Sequence, residues 1–407
     1  MKHVVFLAPY FGANIRECLR GLLELEEVRV GVITQESADR VPSAFRSRLD
    51  GHYQVRDAID PAQLARAVRA FWKEWGRVDR LLGYMEEMQL PLARVREALG
   101  IPGMSHEVAL NFRDKHRMKG LLARAGLPVA RQARIAGPDD ARRFAEAAGY
   151  PLVLKPLAGV GTRHTFRVDG DEELLAALNR LLPSARHPAQ AEEFVSGSEH
   201  TFETVCVRGE PVWDSSTFYL PGPLEVVENP WMQYCVLLPR ERRLAHVERF
   251  APLNHAALRV LGLETGLTHM EWFHTRDDRE IISEVAARPP GVNIMKMLGM
   301  AHEVDFWGKW AGLMVHERFE MPPRRWACGC AFFRGQGRGR RVAAVEGLAE
   351  ALADLGERVV EARLPKVGQP RSSHYEGEGW ALVRAEETAQ VVDALRRLVT
   401  NTRVRYA

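Results

Sequence analysis

Glu271 and Glu284 sit in neighbouring apolar runs, "GLTHMEWFHT" (266–275) and "REIISEVAA" (279–287), separated by the turn residues Arg276, Asp277 and Asp278. Paired as antiparallel strands, such runs put the two carboxylates on one face, a few ångströms apart. Two bare carboxylates repel, and a divalent cation between them relieves the repulsion. Oxygen ligands in an incomplete cage suit Mg²⁺, with Mn²⁺ able to substitute and phosphate or water filling the remaining positions. Arg288 follows Glu284 by four residues in "IISEVAARPPGVN" (281–293) and offers forked donors to a phosphate or carboxylate. The competing reading, a structural Glu–Arg pair at a strand end, carries equal weight on these residues alone. Lys155 ends the strand-like "LVL" just before a loop holding Gly159 and Gly161, a placement from which a lysine reaches phosphate oxygens. A solvated strand-end lysine is the commoner case. His269 is more simply read as a packed core histidine than as a catalytic one.

These residues need elements to carry them. "HVVFLAP", "VRVGVIT" and "VDRLLGYM" read as strands, and residues 14–25, 61–75 and 91–99 show apolar residues at helical spacing. Alternation of strand and helix predicts a parallel sheet with helices on its faces, ending near "LGIPG". That region lacks Gly-x-Gly-x-x-Gly, which argues against a dinucleotide site there. Residues 115–125 and 138–148 read as helices, "PLVLKPLAGVGTRHTFRV" as a hairpin, and "DEELLAALNRLL" as a helix. "AQAEEFVSGSEHTFETVCV" reads strand, turn, strand; residues 219–239 read as irregular; 247–261 reads as a helix. From about residue 322 the pattern is strand, turn, helix, strand, strand, helix. Its "RGQGRGRR" is better read as a basic hairpin tip than as an RNA-binding segment, because the chain is nearly neutral.

Composition sets the outer bounds. A chain of 407 residues with a net charge of +3 is long enough for several domains and too weakly charged to imply a nucleic-acid or membrane surface. No apolar run approaches the ~20 residues of a membrane helix, and no signal peptide is visible at the start. The five cysteines are scattered; Cys328-Gly-Cys330 lacks a second pair at zinc spacing, so reduced thiols in a cytoplasmic protein are expected.

The order Asp114-Lys115, Lys155 with its glycine loop, "EEFVSGSE", Glu271, then Glu284 with Arg288 resembles the ATP-grasp superfamily over roughly residues 113–291. "VLKPLAGVGT" and "THMEWF…ISEVAARPPG" are most similar to carboxylate–amine ligases of the L-amino acid ligase and carnosine-synthase type. The resemblance implies an α/β and α+β multidomain protein. Its parts would be a Rossmann-like α/β domain (1–105), a small ATP-grasp lobe (106–190), a large lobe with the metal site (191–320) and a small α+β C-terminal domain (321–407). It assigns Lys115 and Lys155 to nucleotide phosphates, with Gly159, Gly161 and Thr162 in a loop that closes over them. Glu192, Glu193, Phe194 and Val195 match the strand whose backbone reads adenine. Glu199 matches the acid for the ribose hydroxyls, and Phe273 the ring packed on the base. Glu271 and Glu284 are the implied Mg²⁺ ligands, and Arg288 stabilises phosphate charge.

The implied activity joins a carboxylate to an amine through an acyl phosphate, releasing ADP and phosphate. The substrates are small molecules, most naturally amino acids; neither nucleic acid nor membrane is expected as partner, and a homodimer is compatible with the family. A biotin-carboxylase or purine-pathway type of ATP-grasp enzyme, or an inactive ATP-binding module, is the alternative. One departure stands out: many ATP-grasp enzymes carry Glu-x-Asn-x-Arg, and here the asparagine position is Ala286. Trp231 and the segment after Arg288 are placed to shape the acceptor pocket, whereas Trp307 and Trp310 are expected in the core.

Overall fold

A computed structural model of the chain describes residues 1–157, 165–242 and 244–407. It is a mixed α/β multidomain protein, with four sheets among the described residues. The first is parallel, in the order Gly51–Gln54, Val28–Thr34, Lys2–Leu7, Arg80–Leu82. Lys2–Leu7 is buried almost throughout because both its faces are covered. Val4 and Phe6 share a core with Ile15, Cys18 and Leu19 of helix Ala13–Leu23. Val5 and Leu7 face helices Pro61–Trp75 and Gln89–Leu99 on the other side. Gly31, inside a strand, has a packing reason: a Cβ there would come within 2.6 Å of the rings of Phe71 and Trp75.

This unit is joined to the rest through shared core. Ile15, Cys18 and Leu19 pack with Trp307 and Trp310 of helix Phe306–His316, as expected of those tryptophans. Arg20 also grips Asp305 through two bonds of 2.9 Å.

The small lobe is an antiparallel sheet in the order Gln132–Ile135, Ala189–Glu193, Leu152–Pro156, Phe166–Val168. Helices Pro138–Ala148 and Asp171–Leu181 supply its core partners, including Ala141, Leu174 and Leu178.

The large sheet is antiparallel and eight-stranded: Glu280–Ala286, Gly266–Thr275, Gly197–Val207, Glu210–Leu220, Tyr234–Leu238, Ala327–Phe333, Gly379–Ala385, Val359–Arg363. It runs across residue 320 without interruption, because Tyr234–Leu238 pairs residue for residue with Ala327–Phe333. The stretch expected to be irregular, 219–239, instead contains helix Pro223–Glu228 and a fully buried strand, Tyr234–Leu238. Prolines at 221, 223, 230 and 239 break its periodicity into pieces too short to read.

Cys328 and Cys330 are buried on the same face of one strand. Gly329 between them lets Val391 and Leu395 of helix Thr388–Asn401 approach, to within 2.9 and 2.7 Å of where a Cβ would stand. The Cys-Gly-Cys pattern is therefore a packing signature. "RGQGRGRR" is not a simple hairpin tip. The strand within it, Gly335–Gln336, and the one after it, Val342–Glu346, do not pair with each other; Arg403–Tyr406 lies between them. Among the described residues no helix is long and apolar enough to cross a membrane.

Candidate active site

A cavity of about 1650 Å³ lies where the parallel unit, the small lobe, the large sheet and the C-terminal segment meet. Helix Lys115–Arg124 enters it from below. Asp114 caps the helix, accepting a 2.9 Å bond from the Arg117 amide. Met118 and Leu122 are buried in the core beneath, while Lys115 and Lys119, four residues apart on one face, line the cavity. Lys115 pairs with Glu284. Lys119 Nζ lies 2.7 Å from Glu192 Oε1, and Lys155 Nζ lies 3.0 Å from Glu192 Oε2. Burial alone would raise the Glu192 pKa, but the two lysines outweigh it and hold the carboxylate below its usual range.

The two carboxylate strands meet as their sequence suggested. Glu271 stands directly opposite Glu284, and a bulge just beyond this pair matches Trp272 with Ile282 and leaves Ser283 as the extra residue. Period-two alternation sends His269, Glu271 and Phe273 to the cavity, while Met270 and Trp272 go to the core. Burial pushes the Glu284 carboxyl up, but Lys115, Lys155 and Arg288 bring it down to about 2, so it is ionised at any working pH.

Ala286 lies opposite His269 in the register. His269 in turn faces Glu203 on the next strand, with Nδ1 2.8 Å from Glu203 Oε1 and Nε2 3.8 Å from Glu271 Oε1. It is thus buried, as a core histidine would be, and also fronts the cavity. Burial disfavours its charged form, yet the hydrogen bond to Glu203 and the negative charge of nearby Glu271 prevail and raise its pKa from 6.5 to about 9. A raised folded-state pKa contributes stability that is fully present below the unfolded value and lost as pH rises through the folded one. The His269 contribution to the unfolding free energy in urea is therefore expected to decline between about pH 6.5 and pH 9. A His269→Gln variant should be less stable at the acid end of this window, approach the parent at its alkaline end, and so show a flatter profile; an unchanged slope would remove His269 as its origin.

Arg288 does not pair with Glu284. Its Nε and Nη2 both lie 3.0 Å from Glu86 Oε2, and Nη1 donates to the Pro289 carbonyl at 2.9 Å. Glu86 belongs to the N-terminal unit and also holds Arg113 at 2.9 Å. Glu86 and Lys119 are charged site residues that sequence reasoning missed. For Lys119 there was a signal, its position one helical turn after Lys115; for Glu86 there was none.

The remaining expected residues fall as follows. Phe194 and Val195 continue from strand Ala189–Glu193 along the cavity wall. The Phe194 amide donates to the Pro151 carbonyl at 3.1 Å, and the Arg167 guanidinium sits 4.5 Å from the centre of its ring. Glu193 is held by Arg131 at 2.6 Å. Glu199 lies opposite Phe273 in the register, and burial, followed by the charge of Glu271, raises its pKa well above the carboxylate range. Tyr219, Lys366 and Tyr375 add walls from the large sheet and the C-terminal segment. Trp231 is 53% exposed and does not line the cavity. Gly159, Gly161 and Thr162 lie outside the described residues.

The donor set suits a hard divalent ion that keeps most of its positions for phosphate and water. Glu271 and Glu284 face one another and open on the same cavity, and Ala286 contributes no oxygen. Among the described residues no group of three or more His, Cys, Asp or Glu side chains forms a closed metal cage. The two carboxylates therefore fit Mg²⁺ arriving with a nucleotide better than a resident structural ion.

No family model matches the sequence. The chain is 22% identical over 296 residues to the L-arginine-specific L-amino acid ligase of Bacillus subtilis, spanning 72% of this chain and 70% of that protein. It superposes on the L-amino acid ligase of Bacillus licheniformis with a TM-score of 0.78 at 18% identity, over 100% of this chain and 99% of that one. The biotin carboxylase domain dimer of a Hydrogenobacter thermophilus 2-oxoglutarate carboxylase, in complex with MgADP, ADP and bicarbonate, matches with a TM-score of 0.70 at 17% identity. That likeness covers 98% of this chain and 90% of that one. The fold is shared with these ligases and carboxylases.

Proposed function

We propose that the protein is an ATP-dependent carboxylate–amine ligase of the ATP-grasp type, which forms an amide through an acyl phosphate. The observation that carries this reading is the convergence on one cavity of Lys115, Lys155, Arg288 and the facing pair Glu271 and Glu284. Three cations and two carboxylates around a space of about 1650 Å³ suit a nucleotide triphosphate and two small substrates better than either alone. Similarity to L-amino acid ligases supports amino acids as those substrates.

In this reading a substrate carboxylate oxygen attacks the γ-phosphorus of ATP, the bond to the ADP oxygen breaks, and an acyl phosphate forms. The unprotonated amine then attacks the acyl carbon. The C–O bond to phosphate breaks, the amine gives up a proton that leaves with the inorganic phosphate, and an amide is the product. Lys115 and Lys155 hold and orient the phosphates, and Arg288 offers donors where charge builds on the transferring group. Mg²⁺, with Mn²⁺ as substitute, would be held by Glu271 and Glu284 and would neutralise phosphate charge when bound. Phe194, Val195 and Phe273 shape the adenine slot, Glu199 lies towards the ribose, and Gly159, Gly161 and Thr162 complete the phosphate loop. Enclosure matters because water hydrolyses an acyl phosphate.

The same reading makes the first parallel unit a Rossmann-like domain over 1–105, followed by lobes at 106–190 and 191–320 and a C-terminal domain at 321–407 that shares the large sheet. It also implies a cytoplasmic protein, and a homodimer is in keeping with the dimeric carboxylase domain it resembles.

Phosphate release in a malachite-green assay, with pooled amino acids and ATP, tests it directly. Release that needs both a carboxylate and an amine is expected. Release that depends on bicarbonate instead would transfer the reading to the carboxylase type, and nucleotide binding without turnover on any pool would leave a binding module.

A further inference from the structure

Lys119 is used by none of the roles above, yet its side chain is 2% exposed and fixed on Glu192 at 2.7 Å. Glu192 is itself almost fully buried and holds a second cation, Lys155, at 3.0 Å. Gln190 Nε2 completes the cluster, 2.6 Å from Glu192 Oε1. A buried carboxylate needs one cation; losing its last one leaves an uncompensated charge in a poorly solvated place. With two cations, one can leave at little cost. We propose that Lys119 is a positioning residue, the counter-ion that stays with Glu192 while Lys155 turns to the nucleotide phosphates.

The geometry decides which lysine stays. Lys119 projects from a helix anchored by its neighbours Met118 and Leu122, both in the core. Lys155 is the more open of the two, at 11% side-chain exposure, and sits near the end of strand Leu152–Pro156, beside the glycine segment. Lys115 makes the parallel contact one turn earlier, with Glu284. One helix thus supplies a cation to the buried Glu192 and another to the half-buried Glu284. Without Lys119, Glu192 would depend on Lys155 alone, and moving Lys155 to a phosphate would uncover a buried charge. The cost would appear as weaker nucleotide binding, before any chemistry.

This inference rests on the nucleotide reading of the cavity, and the experiment separates the two. ATP affinity is measured by calorimetry, alongside KM for ATP and kcat. Lys119→Met is expected to raise Kd and KM for ATP at least about tenfold, with a smaller change in kcat, while Lys119→Arg stays near the parent. Adding Glu192→Gln should restore most of the affinity, because no buried charge then detains Lys155. Should Lys119→Met alone not fold, the comparison moves to the Glu192→Gln background, where removing Lys119 should change Kd by no more than about twofold. Parental affinity in Lys119→Met overturns the inference. So does a double variant as weak as the single one, or a tenfold loss within the Glu192→Gln background. Failure of the unsubstituted protein to bind ATP overturns the nucleotide reading itself, and this inference with it.

Discussion

Glu284→Ala is expected to lower Mg²⁺-dependent phosphate release by on the order of 10³-fold or more, a loss that corresponds to the several kcal/mol a catalytic metal supplies. The size follows from what this one side chain does. It is one of two carboxylates that face each other across adjacent strands at the cavity. With its pKa brought down to about 2, chiefly by Lys115 against the opposing effect of burial, it is a permanent anion. Ala286 gives no oxygen to compensate for its removal. Lys115, 7% exposed, also loses its partner and becomes a buried unpaired cation. Glu284→Gln keeps the shape and discards the charge, so it should be nearly as inactive; that variant separates charge from packing. Metal-free nucleotide binding by calorimetry should persist in both, since Lys155 remains. Turnover within about tenfold of the parent in Glu284→Gln would sink the metal assignment.

The parts of the site that could be read from sequence are those whose partners lie close along the chain or follow an ordered motif. Glu271 and Glu284 belong to one hairpin, so alternation and a short turn suffice to set them face to face. The helix at 61–75 and the strand at 28–34 were legible to the residue because their hydrophobic periods are undisturbed. Glu86 was invisible for the opposite reason. It lies in a short turn of helix 202 positions before Arg288, and the two regions meet through non-local packing, such as that of Ile15, Cys18 and Leu19 on Trp307 and Trp310. The junction of Tyr234–Leu238 with Ala327–Phe333 is likewise non-local, so a tail that reads as a separate unit is the continuation of a sheet. His269 shows a third kind of limit. Its residue type and burial were foreseeable, but its link to Glu203 depends on which strand lies beside it, and that is a matter of sheet order.

Arg288→Ala should cost on the order of 10³-fold in kcat, the range seen when a fixed charged donor to a transferring phosphoryl group is removed, with KM for ATP changed little. Glu86 and the Pro289 carbonyl together engage three N–H groups of Arg288. A guanidinium has five, so about two remain for a ligand, in a plane the protein has already fixed. Such donors favour the state in which charge accumulates more than the resting nucleotide, whose phosphates Lys115 and Lys155 can hold. The fold should tolerate the change, because Glu86 keeps Arg113 at 2.9 Å and is not left unpaired. Arg288→Lys is expected to recover less than about tenfold, since a single ammonium cannot reproduce the fork that both grips Glu86 and faces the cavity. Glu86→Gln makes the complementary test: with Arg288 present but loosely held, kcat should fall by an intermediate factor, on the order of tenfold. A lysine at 288 that works nearly as well as arginine would show that charge alone matters there and that Glu86 has no positioning role.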